Sequence, residues 1–181
     1  MKAGDAVAAA VAAAPDALFV SSLGTATSAL RLASGDGPHL YLGGAMGCGL
    51  AAALGVADRR PRRAVVAVLG DGDLLMGASS LWTLSGLAPA NLLVLVLDDG
   101  RYSITGGQAL VSGSSFAAVA GSFPGVAAVE APTADAVGDA VRTLARPGIV
   151  LAAVDERVWP GPSPFVDPHA VRARFAAAAG S

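Results

Sequence analysis

Two apolar segments in the middle of the chain constrain its fold most strongly, because each is followed at once by acidic residues and glycine. Residues 64–69 (AVVAVL) are followed by GDG, and residues 91–97 (NLLVLVL) are followed by DDG. Short runs of Val and Leu bounded by turn residues are typical of buried strands in a parallel sheet. Parallel strands end at the same edge of a sheet, where open α/β sheets bind ligands. We therefore expect Asp71 and Asp99 to lie together at that edge.

Strand and helix patterns alternate along the rest of the chain. This alternation predicts an α/β domain with a doubly wound parallel sheet of five to six strands and helices on both faces. We expect this domain to span residues 1–158, with residues 159–181 forming a Pro-rich C-terminal arm that ends in a short helix around 170–179. The predicted strands lie at 18–21, 39–42, 64–69, 91–97, 126–129 and 149–154, and the predicted helices at 4–14, 25–33, 46–57, 74–82, 114–121 and 133–145, with a glycine-rich loop at 100–113.

Charge and cysteine content exclude several classes of function. A net charge of −2 gives no general attraction to nucleic acid or acidic membranes. Cys48 is the only cysteine, so the chain holds no disulfide framework, thiolate zinc cluster or iron–sulfur site of its own. No apolar run reaches the roughly 18 residues needed to cross a bilayer, and we expect a cytoplasmic protein. The basic cluster at 59–63 (RRPRR) indicates either a solvated loop or a contact with an anion or partner.

The chemistry of the predicted sheet edge favours a bound cation. Carboxylates are hard oxygen ligands, and glycine-rich turns expose backbone amides beside them. Together they suit a magnesium ion that carries a phosphate group. The alternative is that these acids only form turns and cap strand ends.

The stretch GDGDLLMGASSLWTLSGLAPANLLVLVLDDGRYSITGGQ, from Gly70 to Gln108, resembles the diphosphate-binding domain of thiamine-diphosphate-dependent enzymes. The likeness is strongest to the separately encoded subunit of sulfopyruvate and phosphonopyruvate decarboxylases. In that family a Gly-Asp-Gly is followed at this distance by an Asn-Gly turn, often continuing as Tyr-x-x-Thr-Gly-Gly-Gln. The resemblance covers about residues 18–154. It implies thiamine diphosphate and Mg²⁺ as cofactors.

The resemblance also implies roles for the residues of these turns. Asp71 and Asp99 would bind Mg²⁺ through side-chain oxygens, and the backbone carbonyl of Arg101 would supply a third ligand. The amides of Gly72 and Asp73, in the turn that begins at Gly70, would hold diphosphate oxygens at the start of a helix.

Further cofactor contacts follow from the same likeness. Gly24 and Thr25 come after a predicted strand, where such enzymes often make another diphosphate contact. Met46 takes the place of the bulky apolar residue that props the cofactor into a bent conformation. The Gly44 carbonyl would then face the 4′-amino group of the pyrimidine, and Tyr102 with its loop would lie beside the cofactor.

The chain departs from the family pattern at two acidic positions. Asp99 stands where the family usually has Asn, which adds negative charge beside the metal. Asp73 stands where Ser or Asn often follows Gly-Asp-Gly. Its side chain would repel diphosphate unless it turns away and accepts backbone N–H bonds.

An expected catalytic residue has no counterpart in the sequence. Enzymes of this family use a glutamate near the pyrimidine N1′, which sits on a pyrimidine-binding domain. The two glutamates of this chain, Glu130 and Glu156, do not lie in a matching context. The resemblance therefore implies a subunit without catalytic side chains of its own, inactive without a pyrimidine-binding partner in an α₂β₂ or larger assembly. The substrate would be a small 2-oxo acid.

Three alternatives stay open. The chain could serve a thiamine-diphosphate-dependent carboligase of the acyloin or acetolactate synthase type. Residues 47–52 (GCGLAA) also fit the loose G-x-G-x-x-A pattern of an NAD- or FAD-binding Rossmann domain, with Asp71 at a suitable distance for a ribose contact. A non-catalytic scaffold subunit is the third. His39 is either an acid–base residue or, in the simpler interpretation, part of the core.

Overall fold

The computed structural model describes residues 1–110, 115–156 and 158–180. Helices and strands alternate along these ranges, and a short 3₁₀ turn spans Ser103–Thr105. The strands are β1 (Leu18–Ser21), β2 (Leu40–Tyr41), β3 (Val65–Gly70), β4 (Leu92–Asp98), β5 (Arg101–Tyr102), β6 (Gln108–Ala109), β7 (Ala127–Glu130) and β8 (Gly148–Ala153). The helices are α1 (Ala3–Ala13), α2 (Thr25–Ser34), α3 (Gly49–Arg59), α4 (Asp71–Met76), α5 (Ser80–Leu87), α6 (Phe116–Gly121), α7 (Ala134–Thr143) and α8 (Pro168–Ala179).

Six strands form one parallel sheet in the order β2-β1-β3-β4-β8-β7. The chain runs outward from β1 to β2 and then returns to place β3 on the other side of β1. The order therefore reverses between β1 and β3, and a crevice opens at the carboxyl ends of strands on either side of such a reversal. The predicted doubly wound parallel sheet is confirmed.

Two layers of helices bury the two faces of the sheet. Alternate residues of the central strands, such as Val66 and Leu95, join one core cluster with apolar side chains of α1, α2 and α7. Their neighbours, such as Ala67 and Val94, join a second cluster with side chains of α3, α5 and α6. Because both faces are covered, β3 and β4 are apolar at nearly every position instead of alternating with polar residues.

Two predicted helices have different bounds in the structure. The helix expected at 46–57 begins only at Gly49, so Met46 lies in the preceding turn. The helix expected at 74–82 is two helices, α4 and α5, which separate at Gly77. A side chain at Gly77 would collide with the carbonyl oxygen of Gly47. This close backbone approach is a tertiary contact that a helical spacing of apolar residues does not report.

The glycine-rich loop predicted at 100–113 contains ordered structure. Within it, β5 and β6 pair as an antiparallel ribbon, with Tyr102 opposite Gln108. Residues 111–114 lie outside the described residues, and so does the start of the helix predicted at 114–121. The helix itself begins at Phe116, after Ser115, whose Oγ accepts the N–H of Ala118.

The C-terminal arm folds back along the domain. The Gly161 N–H donates to Ser28 Oγ of α2 at 2.9 Å. At the far end of α8, Arg63 donates to the Ala178 carbonyl at 3.0 Å, and Arg60 donates to the Ala179 carbonyl at 2.7 Å. Half of the arginines in the basic cluster at 59–63 thus bind the C-terminal carbonyls of a helix. Among the described residues, no helix combines the length and apolar character needed to span a membrane.

Candidate functional site

An open cavity lies at the carboxyl ends of β1, β3 and β4. Its walls come from five separate segments of the chain, which the reversal of strand order brings together. Of the predicted site residues, those that line it are Gly24, Thr25, Met46, Gly70, Asp71, Gly72, Asp73, Asp99, Arg101 and Tyr102.

Asp71 is held at the centre of this sheet edge by two backbone amides. Its Oδ1 accepts the N–H of Gly72 at 2.6 Å, and its Oδ2 accepts the N–H of Gly100 at 2.7 Å. Only 2 % of the residue is exposed. Burial raises the pKa of its carboxyl group to about 7. The two backbone amides act to lower this pKa, whereas the neighbouring Asp99 and Asp98 raise it further. A carboxylate in this setting gains from a nearby cation, which would offset both its burial and the charge beside it.

Asp99 is oriented by its own turn. Its Oδ1 accepts the N–H of Arg101 at 2.9 Å, two residues further on. Between them, Gly100 has a φ of +68°, a conformation that glycine adopts without strain. This conformation lets the Gly100 amide reach Asp71 while Asp99 stays at the rim. Two adjacent strand ends are thereby joined through one carboxylate.

Met46 and Tyr102 converge on the first turn of α4. A Cβ added to Gly72 would lie 2.8 Å from Cε1 of the Tyr102 ring and 3.2 Å from Cε of Met46. Only glycine leaves room for both side chains at this place. The predicted role of the Gly72 amide toward diphosphate competes with its bond to Asp71, since that amide donates to Asp71 Oδ1.

The start of α2 forms the opposite wall of the cavity. Gly24, with a φ of +66°, precedes the helix, and a Cβ on it would lie 2.7 Å from Cδ1 of Ile104. Thr25 Oγ1 lies 3.5 Å from Ser103 Oγ. The first amides of a helix carry partial positive charge and favour an anion. This end of α2 therefore faces the same space as Asp71.

The side chain of Asp73 binds the turn before α3. Its Oδ1 accepts the N–H of Gly47 at 2.7 Å, and the residue is 4 % exposed. Burial raises the pKa of its carboxyl group, while the nearby amides of Gly47 and Gly49 act in the opposite direction. Of the two expectations for this side chain, the structure shows the one in which it accepts a backbone N–H bond.

Several candidate residues lie outside the cavity. Gly44 is exposed and does not line it. His39 is buried, with its ring edge-on to Phe19 at 5.1 Å, and burial lowers its pKa to about 4. These contacts favour the structural interpretation of His39. Glu130 is exposed on the outermost strand, and the Glu156 side chain lies 3.9 Å from Lys2 Nζ.

The structure adds site residues that the sequence analysis missed. Ser22 and Val154 also line the cavity, and Ile104 lines it from the loop that was expected beside the cofactor. Ser22 follows β1 directly, and its Oγ lies 3.4 Å from the Gly70 amide. A polar residue at the end of a buried strand was a usable signal for Ser22. Val154 carried no such signal, because an apolar residue at a strand end looks the same whether it lines a core or a cavity.

The donor set of the site consists of hard oxygens. Among the residues that the structure describes, no group of three or more His, Cys, Asp or Glu side chains could hold a metal ion. The site instead offers two carboxylates together with backbone oxygens and amides. This set suits Mg²⁺, which keeps several waters and binds proteins through one or two carboxylates together with phosphate oxygens. The residues present therefore fit a magnesium diphosphate.

Comparison with known proteins gives one family match and several relatives. Residues 22–154 match the model of the thiamine pyrophosphate enzyme, C-terminal TPP binding domain. A phosphonopyruvate decarboxylase of Streptomyces viridochromogenes is 39 % identical over 169 residues, which are 90 % of this chain and 42 % of the relative. The sulfopyruvate decarboxylase subunit beta of Methanothermobacter thermautotrophicus is 36 % identical over 93 residues, 51 % of this chain and 50 % of the relative.

Solved structures agree on the fold. A thiamine diphosphate-dependent 4-hydroxybenzoylformate decarboxylase of Rhodococcus jostii RHA1 superposes with a TM-score of 0.67 at 22 % identity, covering 87 % of this chain and 33 % of that one. The alignments span half or less of the length of these relatives.

Proposed function

Since this chain belongs to the family of C-terminal TPP-binding domains of thiamine pyrophosphate enzymes, we propose that it is the cofactor-binding subunit of a decarboxylase of small 2-oxo acids. The enzyme would depend on thiamine diphosphate and Mg²⁺. The names of relatives, phosphonopyruvate decarboxylase and sulfopyruvate decarboxylase subunit beta, support a substrate that carries a second acidic group.

The observation that carries this proposal is the pair of carboxylates at the ends of β3 and β4. Asp71 is buried, with its pKa raised to about 7, and Asp99 adds negative charge beside it. Without a function, this arrangement would place a buried acid beside another acid at a cost in stability. A divalent cation held by both carboxylates would offset that cost.

Each wall of the cavity has a part in holding the cofactor. Asp71, Asp99 and the carbonyl of Arg101 would bind Mg²⁺. The diphosphate would face the amides of Gly72 and Asp73 and the first turn of α2, at Gly24 and Thr25. To donate to the diphosphate, the Gly72 N–H would have to leave its hydrogen bond with Asp71 Oδ1 or be shared between the two acceptors. On the apolar side, Met46 and Tyr102 would support the rings, and the Gly44 carbonyl would face the pyrimidine.

Loss of carbon dioxide from the substrate relies on chemistry that the bound thiamine diphosphate supplies. The residues of this chain position the cofactor and neutralise its diphosphate. Its two glutamates do not line the cavity, so the carboxylate that activates the pyrimidine would come from a pyrimidine-binding partner. Relatives named as beta subunits support such a partner, in an α₂β₂ or larger complex.

Cofactor binding tests the proposal directly. Calorimetry with thiamine diphosphate should show uptake that depends on Mg²⁺ and disappears with EDTA, in the complex with the partner subunit. Asp71→Ala and Asp99→Ala should each weaken uptake at least tenfold, since each removes a charge-assisted ligand worth about 1.5–3 kcal/mol. Asp139→Ala removes an exposed acid, paired with Arg142, far from the site and serves as the control.

The outcomes separate the alternatives. Equal uptake by Asp71→Ala, Asp99→Ala and the unmodified chain would contradict the proposed site. No uptake by any protein would favour a scaffold subunit. Uptake together with carbon–carbon bond formation, in place of carbon dioxide release from phosphonopyruvate or sulfopyruvate, would favour a carboligase.

A further inference from the structure

Asp73 connects two segments that are distant in the sequence. It lies on α4, yet its Oδ1 accepts the N–H of Gly47, which belongs to the turn before α3, at 2.7 Å. Its Oδ2 makes no hydrogen bond with the described residues, and a Cβ on Gly49 would lie 2.8 Å from it. The carboxyl group is therefore enclosed against the turn, and its Oδ1 is hydrogen-bonded to that turn.

The backbone around this bond is packed too closely for side chains. Gly47 has a φ of +79°, and a Cβ on it would lie 2.9 Å from Cγ of Met76. A Cβ on Gly77, at the end of α4, would collide with the Gly47 carbonyl. The Gly47 turn thus rests on the last residues of α4, while Asp73 binds it from the middle of the same helix.

Met46 immediately precedes this fixed point. Its Cε lies 3.2 Å from where a Cβ of Gly72 would stand, on the cavity side of α4. Helix α4 therefore contacts the Met46 side chain at Gly72 and also binds the next residue, Gly47, through Asp73. A shift of Gly47 would move Met46 relative to Gly72 and the cavity wall.

We propose that Asp73 is a positioning residue: its carboxyl group holds the Gly47 amide so that Met46 stands over Gly72 at the cavity. The bond satisfies an amide in a left-handed turn that no helix or strand ladder reaches. Removing the carboxyl group leaves the partly buried Gly47 amide unpaired and frees the turn to move. The consequence for cofactor binding rests on the proposed function, whereas the consequence for the turn does not.

Hydrogen exchange of the unliganded chain tests the connection itself. In Asp73→Ala, exchange of the amides at 44–49 should accelerate about tenfold or more, because a hydrogen bond to a charged or polar group is lost. Asp73→Asn keeps an oxygen that can accept from Gly47 and should restore slow exchange. Amides of β3 and β4 should exchange as in the unmodified chain.

Asn91→Ala is the matched control. Asn91 also connects a turn to the sheet, donating from Nδ2 to the carbonyls of Ala57, Arg60 and Arg63 at 2.9–3.1 Å. It does so at the amino-terminal edge, far from the cavity. Its loss should lower the melting temperature without changing exchange at 44–49 or cofactor affinity, which separates positioning from general destabilisation.

Cofactor titration completes the test. In the partner complex with Mg²⁺, Asp73→Ala should weaken the affinity for thiamine diphosphate several-fold without changing its stoichiometry, and Asp73→Asn should restore it. Unchanged exchange at 44–49 in Asp73→Ala would overturn the inference. If exchange at 44–49 is faster in Asp73→Ala but neither the unmodified chain nor the variants bind the cofactor, the proposed function is contradicted and the positioning role of Asp73 is not. If Asp73→Ala does not fold, Asp73→Ser takes its place, because its hydroxyl is too short to reach Gly47.

Discussion

At the scale of single residues, buried ionisable groups divide into those that serve the cavity and those that serve the core. Asp71 and Asp73 are both nearly inaccessible, yet both bind backbone amides near the cavity. His39 is also buried, but it lies between aromatic rings, and its Nδ1 has no hydrogen bond with the described residues. Its lowered pKa is therefore a property of the core.

His39 makes stability depend on pH. Burial lowers its pKa to about 4 from 6.5, so between these values the unfolded chain binds more protons than the folded one. Its contribution is complete above pH 6.5 and is lost as the pH falls toward 4, about 3 kcal/mol in all. Asp71 titrates in the opposite sense, because its pKa is raised. Urea unfolding should therefore show that His39→Phe loses less stability than the unmodified chain between pH 6.5 and 4; parallel curves would contradict this.

Gly24 carries a second prediction at this scale. Gly24→Ala should destabilise the chain by about 1–3 kcal/mol, since its φ of +66° is restricted to glycine, and it should displace Ile104 from the cavity wall. Gly35→Ala is the matched control, because its φ is +63° but no atom lies within 4 Å of an added Cβ. Chemical denaturation should show a larger loss for Gly24→Ala. Only that variant should also weaken binding of thiamine diphosphate.

At the scale of elements, tertiary contacts set where helices end. Gly77 separates α4 from α5 because the backbone of Gly47 occupies the space of a side chain. At the other edge of the sheet, the basic cluster at 59–63 contacts the end of another helix, α8. Arg60 and Arg63 donate to the last carbonyls of α8, which no turn of the helix satisfies.

Replacing these arginines should release the end of α8. Cations at a helix C-terminus stabilise it by about 0.3–1 kcal/mol each. The double variant Arg60→Ala/Arg63→Ala should therefore increase amide exchange toward the end of Pro168–Ala179. Arg62→Ala, an exposed neighbour, should leave exchange in α8 unchanged. Equal exchange in the double variant and in Arg62→Ala would show that the helix is held by its apolar contacts alone.

At the scale of the whole molecule, strand order creates the cavity. The reversal between β1 and β3 leaves the start of α2 facing the turns after β3 and β4. The β5–β6 ribbon then carries Tyr102 and Ile104 onto the same space. The cavity is open, and neither glutamate of the chain lines it. This geometry supports a site completed by another protein.

The chain without a partner should therefore not release carbon dioxide from a 2-oxo acid at enzymic rates. Adding a pyrimidine-binding subunit should restore the activity, and replacing the activating glutamate of that subunit by glutamine should abolish it without loss of cofactor. Carbon dioxide release can be followed from phosphonopyruvate and sulfopyruvate. Full activity of the isolated chain would contradict the division of the site between two subunits.

The sequence alone determined the fold class and the acidic residues of the sheet edge. Strands buried on both faces need continuous apolar runs, so β3 and β4 were recognisable, and the acids that follow them had to lie at their carboxyl ends. Of the site residues predicted from the strand pattern and the family likeness together, ten line the cavity and Gly44 does not. Element ends were less accurate, by three residues at the start of α3 and by five at the end of α5.

The tertiary structure alone decided which distant segments meet. The contact of Asp73 with Gly47, the break at Gly77 and the packing of Ile104 on Gly24 all join residues that are far apart in the chain. Local patterns record how a segment divides between core and solvent, and carry no information on the partner that it packs against. The same limit applies to α8, whose last carbonyls bind arginines more than a hundred residues earlier. Such contacts depend on strand order, which is a property of the whole chain.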